Sequence, residues 1–182
     1  MIFKETKLRG TYVIELEPIE DERGFFARTF CKSEFEKYNL NPRIVQCNVS
    51  FSKTKGTLRG MHYQAKPYEE AKMVRCTRGR IYDVILDLRH DSPSFKQWVA
   101  VELTEKNRRA LYVPEGLAHG FQTLENETEV FYWMSEFYTH EYVRGVRWND
   151  PAFGIEWPVN ERILSVRDQN FPDFDLNGTP RR

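Results

Sequence analysis

A succession of short β-rich runs separated by turn signals constrains the fold of this chain more than any other feature. The runs follow one another at the spacing expected of a β-sandwich or a β-barrel. Along Arg80–Arg89 the apolar residues at even positions share one face, while Asp83 and Asp87 lie on the other. The predicted strands are Thr11–Leu16, Phe25–Phe30, Arg43–Ser50, Thr57–Gln64, Lys72–Thr77, Arg80–Leu88, Gln97–Leu103, Ala110–Val113, Gly120–Leu124 and Glu129–Met134.

Helical signals are few, so we expect an all-β protein with two layers of antiparallel strands. The segment Ser33–Tyr38 predicts one short helix, with Ser33 as its N-cap and Glu36 three residues later. Residues 158–182 are predicted to form a loop-rich tail with one helical turn near Asn160–Leu164. At 182 residues, the whole chain 1–182 fits a single domain.

Composition excludes several classes of function. Lys plus Arg and Asp plus Glu are equal at 27 each, and this balance argues against a nucleic-acid-binding protein. No apolar run reaches the length of a signal-peptide core or of a membrane span. Cys31, Cys47 and Cys76 are odd in number and lack the CxxC spacing, which favours reduced thiols in the cytoplasm.

Reactive side chains concentrate in three places: Gly56–Gln64, Lys72 at the start of the next strand, and the turn Pro114–Gly120. In a regular strand, His62 shares a face with Leu58, Gly60 and Gln64, and Arg59 points the other way. Each of these side chains, taken alone, has an ordinary structural explanation, and a single strand histidine is usually structural. His90 and His140 are predicted to lie on the surface.

A metal centre is one alternative for a histidine-bearing β-barrel. Such barrels commonly bind metal through a His-x-His pair, a nearby glutamate and a third histidine. Here Gln64 replaces the second histidine of the pair, so only His62, His119 and one of Glu69 or Glu70 remain as candidate ligands. Zinc and iron normally require at least three well-placed ligands, and we therefore expect no catalytic metal.

Eight motifs, in the same order along the chain, resemble those of the dTDP-4-dehydrorhamnose 3,5-epimerase family. They are Asp21–Phe26, Gln46–Asn48, Gly56–Gln64, Arg80–Val84, Asp87–Pro93, Pro114–Phe121, Trp148–Pro151 and Ser165–Asp168. The resemblance implies a cupin-like jelly roll and an isomerase that acts on a nucleoside-diphosphate 4-keto sugar. It also implies that no metal or redox cofactor is required.

The resemblance assigns roles to individual positions. His62 matches the proton acceptor of the family, Tyr132 the proton donor, and Asp168 the carboxylate that orients the histidine. Lys72 matches a cationic residue of the sugar site, and Tyr138 matches the aromatic residue that stacks on the base. Further implied substrate contacts are Arg23, Arg28, Gln46, Asn48, Arg59, His119 and Arg167.

The implied chemistry is physically consistent. The C4 carbonyl acidifies the hydrogens at C3 and C5 because their loss gives an enolate. A neutral imidazole such as His62 can take the proton, and Asp168 can stabilise the resulting imidazolium. The Lys72 ammonium can stabilise the enolate oxygen, and inversion requires an acid such as Tyr132 on the opposite face.

Three positions depart from the family pattern. Arg28 and Val143 stand where members of the rhamnose pathway carry glutamates, and Trp133 stands where many relatives have lysine. Stacking on Tyr138 tolerates any base, whereas hydrogen-bonding groups select among bases. Thymidine, guanosine, cytidine and uridine diphosphate sugars therefore all remain compatible, as does inversion at C3, at C5 or at both.

Alternative functions fit parts of the same pattern. They are a nucleotide-sugar 3,4-ketoisomerase, a catalytically inactive sugar-nucleotide-binding cupin and, least favoured, a metal-dependent dioxygenase. The joint presence of His62, Lys72, Tyr132 and Asp168 favours an epimerase, because a binding site needs no proton-transfer pair. The resemblance further implies a homodimer with exchanged N-terminal strands, in which Arg23 and Phe26 reach the neighbouring site.

Overall fold

The computed structural model describes residues 1–174, which form two antiparallel β-sheets packed face to face and a small hairpin. The predicted all-β class is confirmed, since the described residues contain two helices of six and four residues. The strands are β1 (Ile2–Glu5), β2 (Tyr12–Glu15), β3 (Ile19–Asp21), β4 (Gly24–Phe26), β5 (Gln46–Ser52), β6 (Leu58–Gln64), β7 (Lys72–Arg78), β8 (Arg80–Asp87), β9 (Trp98–Thr104), β10 (Ala110–Val113), β11 (Leu117–Thr123), β12 (Thr128–Met134) and β13 (Val143–Gly145). The helices are α1 (Lys32–Lys37) and α2 (Val166–Gln169), and a 3-10 turn covers His140–Tyr142.

Each sheet contributes one wall of the sandwich. The six-stranded sheet has the order β1-β2-β10-β7-β12-β5, and the five-stranded sheet has the order β13-β6-β11-β8-β9. The β3–β4 hairpin pairs with neither sheet. Between the walls, apolar side chains from both sheets form a buried core that includes Val74, Ile85, Leu111 and Val130. This core fills part of the space between the sheets, and the cavity described below occupies another part.

The outer faces of both sheets are covered as well. Helix α1 packs Phe35 against Tyr112 and Trp133 of the six-stranded sheet. Residues between β13 and α2, including Phe153 and Trp157, pack on the five-stranded sheet. The alternation predicted for β8 is therefore confirmed, but both faces of this strand are buried.

The turn after β8 is organised around the buried carboxylate of Asp87. It accepts hydrogen bonds from the Arg89 guanidinium (2.9 and 2.8 Å) and from the hydroxyls of Ser92 (2.6 Å) and Ser94 (2.7 Å). Burial alone raises the pKa of Asp87, but these donors outweigh it and hold the pKa at about 2. The Asp87–Pro93 motif thus has a structural explanation.

Several predicted boundaries are wrong. Strands β1, β3 and β13 were not predicted. Phe25–Phe30 ends as a strand at Phe26, and Gly120–Leu124 forms part of a strand that already begins at Leu117. The helix α1 begins at Lys32 after an extended Cys31, and it has no side-chain cap, so Ser33 is not its N-cap.

The tail differs from its prediction in one respect. No helical turn forms near Asn160–Leu164. Instead, Ile163 forms an isolated β-bridge with Thr57, just before β6, and Leu58 N–H donates to the Ile163 carbonyl at 2.9 Å. The helical turn α2 follows this bridge, and the Ser165 hydroxyl caps it by accepting from Asp168 N–H at 3.1 Å. Residues 175–182 of the predicted tail lie outside the described residues.

A β-bulge in β6 corrects the predicted facing of its side chains. His62 pairs with His119 and Arg59 with Phe121, so two residues of β6, Gly60 and Met61, oppose one residue of β11. The extra residue resets the alternation, and Arg59 and His62 therefore face the same cavity. Gly60 is required here, because its φ is +126° and a Cβ would lie 2.5 Å from the Cα of Gly120.

Candidate active site

A cavity of about 490 Å³ opens between the two sheets and brings together most of the predicted site. His62 reaches it from β6 of the five-stranded sheet, and Tyr132 reaches it from β12 of the six-stranded sheet. The two groups therefore lie on opposite walls of one cavity. The predicted residues that line it are Arg59, His62, Lys72, His119, Tyr132, Arg167 and Asp168.

His62 and Asp168 form a hydrogen-bonded dyad, with 2.6 Å between Nε2 and Oδ1. The carboxylate is buried, and its second oxygen accepts from Gly60 N–H at 3.3 Å. Burial alone raises the pKa of Asp168, but the hydrogen bonds and the charge interaction with His62 outweigh it, so its pKa lies below the ordinary value. A carboxylate that stays ionised can orient the imidazole and stabilise the imidazolium.

Lys72 is held at the start of β7 by Glu70, with 2.7 Å between Nζ and Oε1. The Glu70 side chain is 3% exposed, and its other oxygen accepts from Gln64 N–H at 3.1 Å. The side chains of Glu70 and Lys72 form a largely buried ion pair. Glu70, which the sequence suggested only as a possible metal ligand, thus anchors the cation of the cavity.

A second imidazole–carboxylate pair lies beside the first. His119 on β11 is the register partner of His62, and its Nε2 is 2.6 Å from Oδ1 of Asp83. Asp83 is fully buried, which raises its pKa, while the contact with His119 acts in the opposite direction. Its Oδ2 has no hydrogen-bond partner among the described residues. Sequence reasoning placed Asp83 in a motif but did not identify it as the partner of His119.

Burial raises the pKa of the Tyr132 phenol above its ordinary value. Since that ordinary value is about 10, the phenol is protonated at neutral pH and can serve as a proton donor. Nearby Arg59 acts in the opposite direction. The structure thus provides a neutral acid on the wall opposite the imidazole.

Three further predicted residues lie beside the cavity and do not line it. Gln46 and Asn48 share the face of β5 that carries the lining residue Ser50, and Asn48 is the register partner of Tyr132. The ring of Tyr138 is half exposed on the loop after β12, and its backbone N–H donates to Gln46 Oε1. An aromatic ring in this setting is available for stacking.

Arg23 and Arg28 lie away from the cavity within this chain. Arg23, on the turn of the β3–β4 hairpin, is 86% exposed and pairs with Asp21. Arg28 pairs with Glu34 of α1 at 3.0 Å. Substrate contacts by these two residues stay a prediction.

Two further properties concern the described residues only. Across residues 1–174, the His, Cys, Asp and Glu side chains form no group of three or more that could hold a metal ion. The helices of that same part of the chain include none long and apolar enough to span a membrane. Cys31, Cys47 and Cys76 are free thiols, and His90 and His140 are exposed as predicted.

Comparison with known proteins identifies the family. The model of the family described as dTDP-4-dehydrorhamnose 3,5-epimerase matches residues 5–175. The chain belongs to this family. A dTDP-4-dehydrorhamnose 3,5-epimerase of Shigella flexneri is 43% identical over 175 residues, which cover 94% of this chain and 96% of the relative.

Solved structures of the family extend the likeness to three dimensions. The epimerase of Elizabethkingia anophelis superposes with a TM-score of 0.93 at 40% identity and covers 96% of each chain. The Bacillus anthracis epimerase, solved with TDP and PPi bound, has a TM-score of 0.91 at 42% identity and covers 95% of this chain and 99% of its own. The predicted cupin-like jelly-roll fold is thereby confirmed.

Proposed function

We propose that this chain inverts C3 and C5 of a thymidine-diphosphate 4-keto-6-deoxy sugar. The observation that carries the proposal is the placement of the His62–Asp168 dyad and Tyr132 on opposite walls of one cavity. Inversion needs this arrangement, because the proton must leave one face of the carbon and return to the other. The thymidine assignment draws support from the Bacillus anthracis relative, which was solved with TDP bound.

The steps follow from the residues of the cavity. His62 takes the proton from the carbon next to the C4 carbonyl, and the electron pair of the C–H bond forms the enolate. The positive charge of Lys72 stabilises the enolate oxygen, and Asp168 stabilises the imidazolium. Tyr132 then donates its proton to the opposite face of the carbon. Exchange with solvent returns the imidazole and the phenol to their initial protonation states.

Solvent deuterium incorporation tests the proposal. Wild-type protein, incubated in D2O with dTDP-4-keto-6-deoxyglucose, is expected to introduce deuterium at C3 and C5, and NMR identifies the positions and their configuration. His62→Ala should abolish this exchange, whereas His90→Ala, which removes an exposed histidine outside the cavity, should retain it. Wild-type protein that moves the carbonyl to C3 would instead be a ketoisomerase, and binding without exchange would indicate an inactive cupin.

The proposed enzyme works as a homodimer with exchanged N-terminal strands. The β3–β4 hairpin pairs with neither sheet of this chain, and its apolar side chains Ile19 and Phe26 are 70% and 71% exposed. The edge strand β5 likewise exposes Val49 and Phe51. Apolar surface of this kind favours association between copies. Light scattering is expected to give a dimer, and Phe26→Asp should convert it to a monomer; a monomeric wild type would refute the exchange.

The proposed place of action is the cytoplasm. The three free cysteines support a reducing compartment, because disulfides persist in oxidising ones. Fractionation of cells that express the full chain tests this assignment. Recovery of the protein in a membrane or secreted fraction would contradict it.

A further inference from the structure

Gln64 lies on β6 two residues after His62, and its side chain is 3% exposed. Its amide nitrogen donates to the backbone oxygens of Tyr68 (2.8 Å) and Phe137 (3.1 Å), and its amide oxygen accepts from Thr139 N–H (2.6 Å). Both amide N–H groups and the amide oxygen are thus used on two separate loops. One loop joins β6 to β7, and the other follows β12.

The loop after β12 carries Tyr138 between the two residues that Gln64 binds. The backbone N–H of Tyr138 itself donates to Gln46. Three consecutive residues, Phe137 to Thr139, are therefore held at their backbones by two glutamine side chains. Neither glutamine hydrogen-bonds the Tyr138 side chain, whose hydroxyl lies 3.3 Å from Nδ1 of His140. Tyr138 is half exposed, while the backbone that carries its ring is fixed.

We propose that Gln64 is a positioning residue that holds the Tyr138 ring in place for stacking on the nucleotide base. The inference rests on the proposed function, in which the ligand is a thymidine nucleotide. Fixing the loop before binding lowers the entropic cost of ordering it in the complex. Gln64 thereby raises nucleotide affinity without touching the nucleotide.

The side chain and the backbone of Gln64 act on different parts of the site. Its backbone N–H donates to Glu70, and Glu70 in turn holds Lys72. Gln64→Leu removes only the amide and keeps the backbone contact. The variant should therefore weaken nucleotide binding while kcat at saturating substrate stays unchanged. A merely structural residue predicts no such separation.

A double-mutant cycle on the Kd for dTDP, measured by isothermal titration calorimetry, tests the inference. Stacking of a base on an aromatic ring contributes roughly a five- to 150-fold factor in affinity. Tyr138→Ala should weaken dTDP binding within that range, and Gln64→Leu should weaken it roughly tenfold. In the double variant, Gln64→Leu should cause no loss of dTDP affinity beyond that of Tyr138→Ala, because the effect of Gln64 passes through the Tyr138 ring.

Gln122→Leu is the matched control. Gln122 is also buried. Its amide nitrogen donates to the Val159 carbonyl at 2.8 Å and its amide oxygen accepts from Val159 N–H at 3.0 Å, so neither bond involves the Tyr138 loop. It should lower the midpoint of urea unfolding and leave the Kd for dTDP unchanged. An unchanged Kd in Gln64→Leu, or the same fold-loss with and without Tyr138, would overturn the inference alone. Wild-type protein that fails to bind dTDP would overturn the proposed function and this inference together.

A second variant and a second readout cover the case in which Gln64→Leu does not fold. Gln64→Glu keeps the size and the acceptor for Thr139 N–H, but it places an oxygen against the carbonyls of Tyr68 and Phe137. It should also weaken dTDP binding with kcat unchanged. Hydrogen exchange at the Thr139 amide should accelerate in the Gln64 variants and not in Gln122→Leu. Unaltered protection of that amide would refute the positioning role.

Discussion

Replacing Asp168 by asparagine removes the negative charge of the dyad and preserves its size. An amide can still hydrogen-bond His62 across the 2.6 Å contact, but it cannot stabilise an imidazolium by charge. Two unit charges about 4 Å apart at an effective dielectric constant of about 20 interact with about 4 kcal/mol. If the transition state realises between half and all of this energy, the rate falls by roughly thirty- to a thousandfold.

The assay is the initial rate of deuterium incorporation at C3 and C5, with the Kd for dTDP measured in parallel. Asp168→Asn should lose rate and keep its Kd, because Asp168 acts on the proton and not on the nucleotide. Asp150→Asn is the matched control, since Asp150 is another buried carboxylate, bonded to the Ala152 N–H at 2.8 Å outside the cavity. A rate for Asp168→Asn equal to that of wild type would refute the role of the dyad.

Three further outcomes follow from the same contacts. Tyr132→Phe should introduce deuterium at the same carbons as wild type but leave their configuration unchanged, because the acid on the opposite face is missing. NMR of the product measures both properties, and full inversion would contradict the assignment of Tyr132 as proton donor. The double variant Lys72→Met/Glu70→Gln leaves no buried charge unpaired. It should lower kcat by roughly a hundred- to a thousandfold in the same assay. An unaltered kcat would exclude Lys72 from enolate stabilisation. Asp87→Asn should lower the free energy of unfolding at pH 7 by roughly 3 kcal/mol in urea. The folded-state pKa of Asp87 is about 2, below its ordinary value near 4. The contribution of its carboxylate to the free energy of unfolding is therefore complete above about pH 4 and disappears towards pH 2. A difference in the free energy of unfolding between wild type and variant that stays constant over this interval would contradict the assignment.

The identities of the central side chains could be predicted from sequence, whereas their facing could not. His62, Lys72 and Tyr132 lie on strands that a period-two pattern detects, and all three reach the same cavity. The same pattern placed Arg59 opposite His62. The bulge at Gly60 turns Arg59 to the same side as His62, and the bulge exists only because β6 pairs with β11. A local pattern contains no information about that pairing.

The remaining differences have the same origin in long-range contacts. Strands β1, β3 and β13 have three or four residues each, and only the pairing partner defines such short strands. Asp83 hydrogen-bonds His119, which lies 36 residues away in sequence, so this pair could not be identified from a local pattern. Arg23 and Arg28 are exposed and form ion pairs outside the cavity, and their predicted substrate contacts stay a prediction.

The carboxylate of the dyad comes from a short helix that follows the last strand of the sandwich. A chain cut before Ser165 would retain every strand of the described residues, the imidazole, the phenol and the ammonium. It would lack Arg167 of the cavity and the carboxylate that hydrogen-bonds His62. Under the proposed mechanism, such a fragment should leave the sugar nucleotide unaltered. The framework of the sandwich and the carboxylate that completes the proposed dyad are therefore encoded in separate segments of the chain.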